Sequence, residues 1–187
     1  IKPLKKRKYI LSVGRFFGFL KDKKHSILIK TFKNIYTKND TKDWSLHLVG
    51  SATSGDMSYV KELESSAKGA PVIFYPNLSY DKLIKLYGES SIYWHASGYQ
   101  ENDPTKMEHF GISTVEAMAG GSVPVVIGKG GQVEIVYDNK NGYLWNNLSE
   151  LENKSLQLID DNKLRIKMSQ EAIKKAANFD KSIFEEK

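Results

Sequence analysis

The sequence has no cysteine in its 187 residues. That excludes a disulfide framework, a thiolate zinc site and a thiol nucleophile, and leaves any transition-metal site to four histidines and the carboxylates. No apolar run approaches the roughly 20 residues needed to cross a bilayer. The segment Val13-Gly14-Arg15-Phe16-Phe17-Gly18 lacks the third-position glycine of a Gly-x-Gly-x-x-Gly fingerprint, and it also lacks the Gly-Lys-Ser/Thr ending of a P-loop. With 40% hydrophobic and 27% charged residues and only 5 prolines, the composition is that of a globular chain of about one domain. A reducing, cytoplasmic setting is the expectation. Acidic residues are missing from Ile1–Lys8, which holds five positive charges of a net +6, so the rest of the chain is nearly neutral. This distribution argues against a nucleic-acid partner, which needs basic contacts spread over a folded face. The leader itself reads either as a solvated linker at a domain junction or as a contact for anionic head groups on the cytoplasmic side of a membrane. Ile1 in place of Met points to a piece of a longer chain.

Short apolar runs recur at Tyr9–Val13, Ser45–Gly50, Val72–Tyr75, Ser91–Ala96, Val123–Ile127 and Tyr143–Trp145, each a predicted buried strand. Between them lie helical spacings: Leu28, Phe32 and Ile35; Val60, Leu63 and Ala67; Leu83, Ile84 and Tyr87. This alternation predicts a single α/β, Rossmann-like, doubly wound parallel sheet over 9–178, with a helical C-terminal tail. In such a sheet the ligand site lies past the carboxyl ends of the strands, where strand order switches.

The loops at that edge hold the candidate chemistry. Gly14 lets backbone approach a ligand, and Arg15 with Lys23 or Lys24 supplies cations for a diphosphate, unless the loop is simply a solvated basic one. In Glu108-His109-Phe110-Gly111-Ile112-Ser113-Thr114-Val115-Glu116, Ser113 reads as the N-cap of a small buried helix stopped by Gly120 and Gly121. Its free N–H groups form an anion site. Glu116, expected in the first turn, has two readings: the far end of a Ser113-x-x-Glu116 capping box, or a carboxylate accepting from a ribose diol. His95, His109 and Glu108 lack the spacing of a metal site, and no metal is expected.

The pair Glu108 and Glu116, followed by Ala-Met-Ala-Gly-Gly-Ser-Val-Pro-Val-Val and then Gly130-Gly131-Gln-Val-Glu-Ile-Val, resembles the C-terminal domain of retaining GT-B glycosyltransferases of family 4. Ser12-Val13-Gly14-Arg15, Leu48-Val49-Gly50-Ser51, Asn77-Leu78-Ser79 and the tail Phe179 to Phe184 are similar to further elements of that family. The resemblance implies a donor-binding domain that helps move a hexose from a UDP- or GDP-sugar to an acceptor hydroxyl with retained configuration. It implies that Glu116 takes the ribose and Glu108 the sugar hydroxyls. It also implies that Arg15 and one of Lys21, Lys23 and Lys24, with Lys23 preferred, neutralise the diphosphate, that His109, Phe110, Gly111, Ile112 and Ser113 surround it, and that Asn77 and Leu78 meet the base. No cofactor is implied, in keeping with the missing Asp-x-Asp pair. An N-terminal partner domain is implied, with 1–8 near the junction and 179–187 crossing toward it, so that this part alone is inactive in transfer. Two rival classes remain open. One is a non-catalytic nucleotide-binding module. The other is a single-strand binder using Lys2 to Lys8 with Tyr9, Phe16, Phe17 and Phe19.

Overall fold

The computed structural model describes residues 1–17, 23–38 and 41–179. Six parallel strands form one sheet: β1 (Arg7–Val13), β2 (Ser45–Gly50), β3 (Val72–Pro76), β4 (Ser90–His95), β5 (Val123–Ile127) and β6 (Tyr143–Trp145). Their order across the sheet is β3-β2-β1-β4-β5-β6. The chain builds outward from β1 to β3, then returns to the other side of β1 to lay down β4. The switch point therefore falls between β1 and β4. All six runs read from sequence are strands, and β1 begins two residues earlier than the pattern suggests.

The helices are α1 (His25–Lys38), α2 (Met57–Ser66), α3 (Tyr80–Glu89), α4 (Ile112–Ala119), α5 (Gln132–Ile135), α6 (Leu148–Asp160) and α7 (Asn162–Ala177). Because strand side chains alternate, consecutive residues feed opposite cores. Ile10, Leu46, Ile92, Trp94 and Val125 face α1, α2 and α6. Leu11, Val49, Tyr93 and Val126 face the layer of Tyr87 (α3), Met118 (α4), Ile135 (α5) and Ala172 (α7). The Trp94 indole N–H donates to Ser155 Oγ at 2.9 Å, so α6 is fixed to the sheet by a satisfied polar contact inside the core.

The basic leader is partly built into the fold. Arg7 and Lys8 belong to β1. The Lys6 ammonium donates to the carbonyls of Gly88 and Ser90 at 2.9 Å each, and also to that of Gly120. Burial pulls its pKa down to about 8. Lys6 is thus a structural cation, its ammonium partly buried among carbonyls although the residue keeps solvent exposure. Among the described residues no helix is long and apolar enough to cross a membrane. The predicted crossing element 179–187 lies outside the described residues except for Phe179, whose ring meets Phe110 edge-on at 6.2 Å.

Candidate functional site

The carboxyl ends of β1 and β4 open into the two loops singled out by sequence. Gly14 continues β1 with its amide bonded to Val49 O at 2.9 Å, and Phe16 N reaches Ser51 O at 2.9 Å, so the first loop lies against the end of β2. A Cβ on Gly14 would stand 2.8 Å from Lys23 Cγ, so the absence of a side chain there lets the Lys23 stem lie over the end of β1. From that position Lys23 Nζ donates to Glu108 Oε2 at 2.9 Å. Lys24 turns instead to Glu101 Oε1 at 2.7 Å. Of the three lysines weighed for this role, Lys23 is the one that meets Glu108, and Lys21 lies outside the described residues. Arg15 is exposed at the mouth of the same loop.

Glu108 is the centre of the cluster. Besides Lys23 it has His95 Nε2, at the end of β4, 3.3 Å from Oε2, and the Gly111 amide donates to Oε1 at 3.3 Å. His95 and, after it, Lys23 hold the Glu108 carboxyl far below the usual carboxylate range, against the opposing effect of burial. His95 itself is 3% exposed, and burial pushes its pKa down. The site presents a carboxylate held in its ionised form, with a cation and a buried imidazole beside one of its oxygens.

Helix α4 begins differently from the expectation. Its N-cap is Gly111, at φ 86° and ψ 39°, and Gly111 O accepts from Thr114 N at 2.9 Å and Val115 N at 3.1 Å. Ser113 is inside the helix, and its hydroxyl accepts from Tyr93 OH at 2.7 Å. No Ser113–Glu116 capping box forms, and Glu116 lies one turn in, not in the first turn. The positive φ at Gly111 accounts for the shift, because only a residue without Cβ turns there at no steric cost. A Cβ at that position would also come 2.9 Å from Ile135 Cδ1. The consequence is an earlier helix start directly beside Glu108. The Ile112 and Ser113 amides have no residue four back inside the helix and are left at its end, at the positive pole of its dipole. Glu116 is half-buried near Tyr87. Burial first, then the charges of Tyr93 and Glu116, raise the Tyr87 pKa far above its ordinary value.

A second part of the edge forms a cavity of about 380 Å³ lined by Val13, Gly14, Arg15, Asn77, Leu78 and Leu83 among others. Asn77 sits at φ 56°, and its side chain accepts from Ala52 N at 2.9 Å and donates to Ala52 O at 2.8 Å, tying the loop after β3 to that after β2. The predicted residues therefore separate into two neighbouring groups. Gly14 and Arg15 line the cavity with Asn77 and Leu78, and Lys23 and Glu108 meet beside the start of α4. His109 and Phe110 lie in the turn between Glu108 and Gly111, with Phe110 and Ile112 exposed. No group of three metal-ligating side chains occurs among the described residues.

Sequence reasoning missed three participants. His95 was weighed only as a metal ligand, and its pairing with Glu108 carries no local signal. Glu101 binds Lys24 through its carboxylate, and its carbonyl accepts from Lys129 Nζ at 2.8 Å. Lys129 follows β5, so these contacts join three of the loops at this edge.

A parallel sheet in this order, with a carboxylate, a cation and an open helix start gathered at its switch point, defines a Rossmann-like α/β domain with its site at the carboxyl edge. The chain belongs to the glycosyl transferases group 1 family, whose model matches residues 1–175. It is similar to the C-terminal domain of a glycosyl transferase group 1 family protein, LpcC, from Francisella tularensis. That match has 26% identity and a TM-score of 0.72, covering 93% of this chain and 87% of that one. HepE from Anabaena, solved in complex with UDP and glucose, matches with 25% identity and a TM-score of 0.73 over 92% of this chain and 44% of that one. The GDP-Man:Man(3)GlcNAc(2)-PP-Dol alpha-1,2-mannosyltransferase of Xenopus tropicalis is 31% identical over 144 residues, or 72% of this chain. The chain spans 27% of that relative's length. The fold is that of the C-terminal domain of GT-B glycosyltransferases.

Proposed function

We propose that this chain is the donor-binding half of a retaining glycosyltransferase that moves a hexose from a UDP- or GDP-sugar to an acceptor hydroxyl. The observation that carries the reading is the meeting of Lys23, Glu108 and the start of α4 at the ends of β1 and β4. The relatives add to it: one is named for GDP-mannose, and another was solved with UDP and glucose.

In this reading the base enters the cavity between Leu78, Leu83 and Val13, and the ribose extends toward Glu116. The diphosphate lies over Gly14, where Lys23 and Arg15 face it and the Ile112 and Ser113 amides donate to its oxygens. Glu108 takes hydroxyls of the sugar. As the bond between the anomeric carbon and the phosphate oxygen breaks, negative charge builds on the departing diphosphate. Cations and amides already fixed beside that oxygen stabilise the transition state more than the ground state, which is the requirement for acceleration. The acceptor site and the surface that excludes water come from an N-terminal domain.

The test has two parts. Titration calorimetry of this domain with UDP, GDP and ADP, in chelator, is expected to give binding by at least one nucleotide without added metal. The full-length protein is expected to transfer sugar to an acceptor while this domain alone does not. No binding at millimolar nucleotide refutes the proposal.

A further inference from the structure

His95 is a polar residue in a place where an apolar one would pack at less cost. It ends β4 between Trp94 and Ala96, is 3% exposed, and neither of its ring nitrogens has a hydrogen-bond partner among the described residues. Its Nε2 faces Glu108 Oε2 at 3.3 Å, the oxygen that also receives Lys23. A buried polar ring left without a formed hydrogen bond is a local cost to folding, and such costs persist where a site needs the group.

We propose that His95 is a positioning residue for Glu108, keeping that carboxylate aimed at the hydroxyls of the transferred sugar once the donor's diphosphate has drawn Lys23 away. The inference rests on the sugar-nucleotide reading above and extends it to a residue outside that reading. Lys23 is the long, flexible holder of Glu108, and a diphosphate offers its ammonium more negative charge than one carboxylate does. When Lys23 turns to the diphosphate, the holders left to Glu108 among the described residues are the Gly111 amide on Oε1 and His95 on Oε2. His95 is carried by a central strand and enclosed by the core, so it does not follow the ligand. Rigid elements of this kind set side-chain direction more closely than loops do.

The proton belongs on Nε2. Placing it on Nδ1 would strand a buried donor and would set two lone pairs against each other across the 3.3 Å gap. In the ligand-free state the 3.3 Å approach falls short of a formed hydrogen bond, and Lys23 occupies the same oxygen. The approach tightens when that oxygen loses the ammonium, as site hydrogen bonds commonly do on ligand binding. The charged and titratable groups facing His95 are Glu108, Lys23 and, behind it, His25. His25 is fully buried, and burial brings its pKa down to about 4, so it adds no charge at neutral pH. Departure of Lys23 removes the one cation among these groups, and the imidazole then donates to an uncontested carboxylate.

The experiment compares two affinities in the full-length protein: UDP against UDP-glucose, and GDP against GDP-mannose. His95→Leu is expected to leave affinity for the free nucleoside diphosphate within about twofold and to lower that for the sugar conjugate roughly tenfold. His95→Gln, whose amide N–H reaches about as far as Nε2, is expected to restore most of the loss. Equal losses for both ligands would mean a packing role and overturn the proposal, as would a glutamine no better than leucine. If His95→Leu does not fold, nitrogen-15 NMR of the wild-type imidazoles decides. A neutral Nε2–H tautomer whose signal moves in Glu108→Gln is expected, and an Nδ1–H tautomer or an unmoved signal overturns the proposal. A wild type that binds no nucleotide defeats this inference together with the proposed function. A wild type that binds a sugar conjugate as proposed but is indifferent to His95→Leu defeats this inference alone.

Discussion

Replacing Lys23 with methionine tests how the site balances its charges before a ligand arrives. The ammonium is already engaged with Glu108 at 2.9 Å, and the two side chains are 27% and 21% exposed. Donor binding must therefore exchange one ion pair for another. A charge-assisted bond to phosphate contributes about 1.5 to 3 kcal/mol, and a partly exposed pair of this kind is worth up to about 1 kcal/mol. The net contribution of Lys23 to diphosphate affinity, with about 1 kcal/mol subtracted, is then about 0.5 to 2 kcal/mol, or roughly two- to thirtyfold in Kd. In Lys23→Met the uncovered Glu108 carboxylate also repels the incoming phosphates. The double variant Lys23→Met/Glu108→Gln is thus expected to bind a free nucleoside diphosphate more tightly than Lys23→Met alone. Calorimetry at low ionic strength measures all three proteins. A double variant no tighter than the single one would show that Glu108 is not the resident counter-ion that the diphosphate displaces. A Lys23→Met affinity within twofold of wild type, with a larger loss in Lys24→Met, would assign the diphosphate to the other lysine.

Glu116→Gln is expected to weaken nucleoside diphosphate binding about ten- to a hundredfold. Because Ser113 is not the N-cap, the melting temperature without ligand should not move, and a 2′,3′-dideoxy nucleotide should bind wild type and variant alike. Equal losses for ribose and dideoxy forms would remove the ribose role. A third prediction concerns His25 and His47, whose pKa values burial lowers to about 4. The unfolded chain takes up protons on these rings below about pH 6.5 while the folded chain does not, so stability falls as pH drops from 6.5 toward 4. The largest contribution is about 3 kcal/mol for the fully enclosed His25, which stacks on Phe16. His25→Phe should flatten the dependence of melting temperature on pH between 7 and 5, and an unchanged slope would refute this origin.

The strands were legible because a parallel sheet covered on both faces demands unbroken apolar runs, and Val123–Ile127 or Ser90–His95 can hardly be anything else once their neighbours are helical. The loops at the carboxyl edge were legible for the same topological reason. The start of α4 was not, because serine is ordinarily the better cap, and the local pattern around Ser113 says nothing of Tyr93, whose hydroxyl occupies it from twenty residues upstream. Lys23 and Glu108 stand 85 positions apart, and only the return of the chain across β1 brings them together. Lys6 was hidden in a different way. In a run of basic residues each looks equally solvated, and what distinguishes it is a ring of carbonyls contributed by residues 82 to 114 positions away.

That partly buried ammonium has a bearing on the opposite side of the molecule. Gly120 O closes the carboxyl end of α4, and Gly88 O and Ser90 O lie at the corresponding end of α3. One cation thus answers the negative poles of two helices that pack together there. The eight residues of α4 then run straight from this compensated end to the amides of Ile112 and Ser113. With a counter-charge fixed at its rear, the helix meets the cleft with its positive pole touched only by Glu108 at the Gly111 amide, and an anion arriving at the Ile112 and Ser113 amides completes a line of charge that starts in the first residues of the chain.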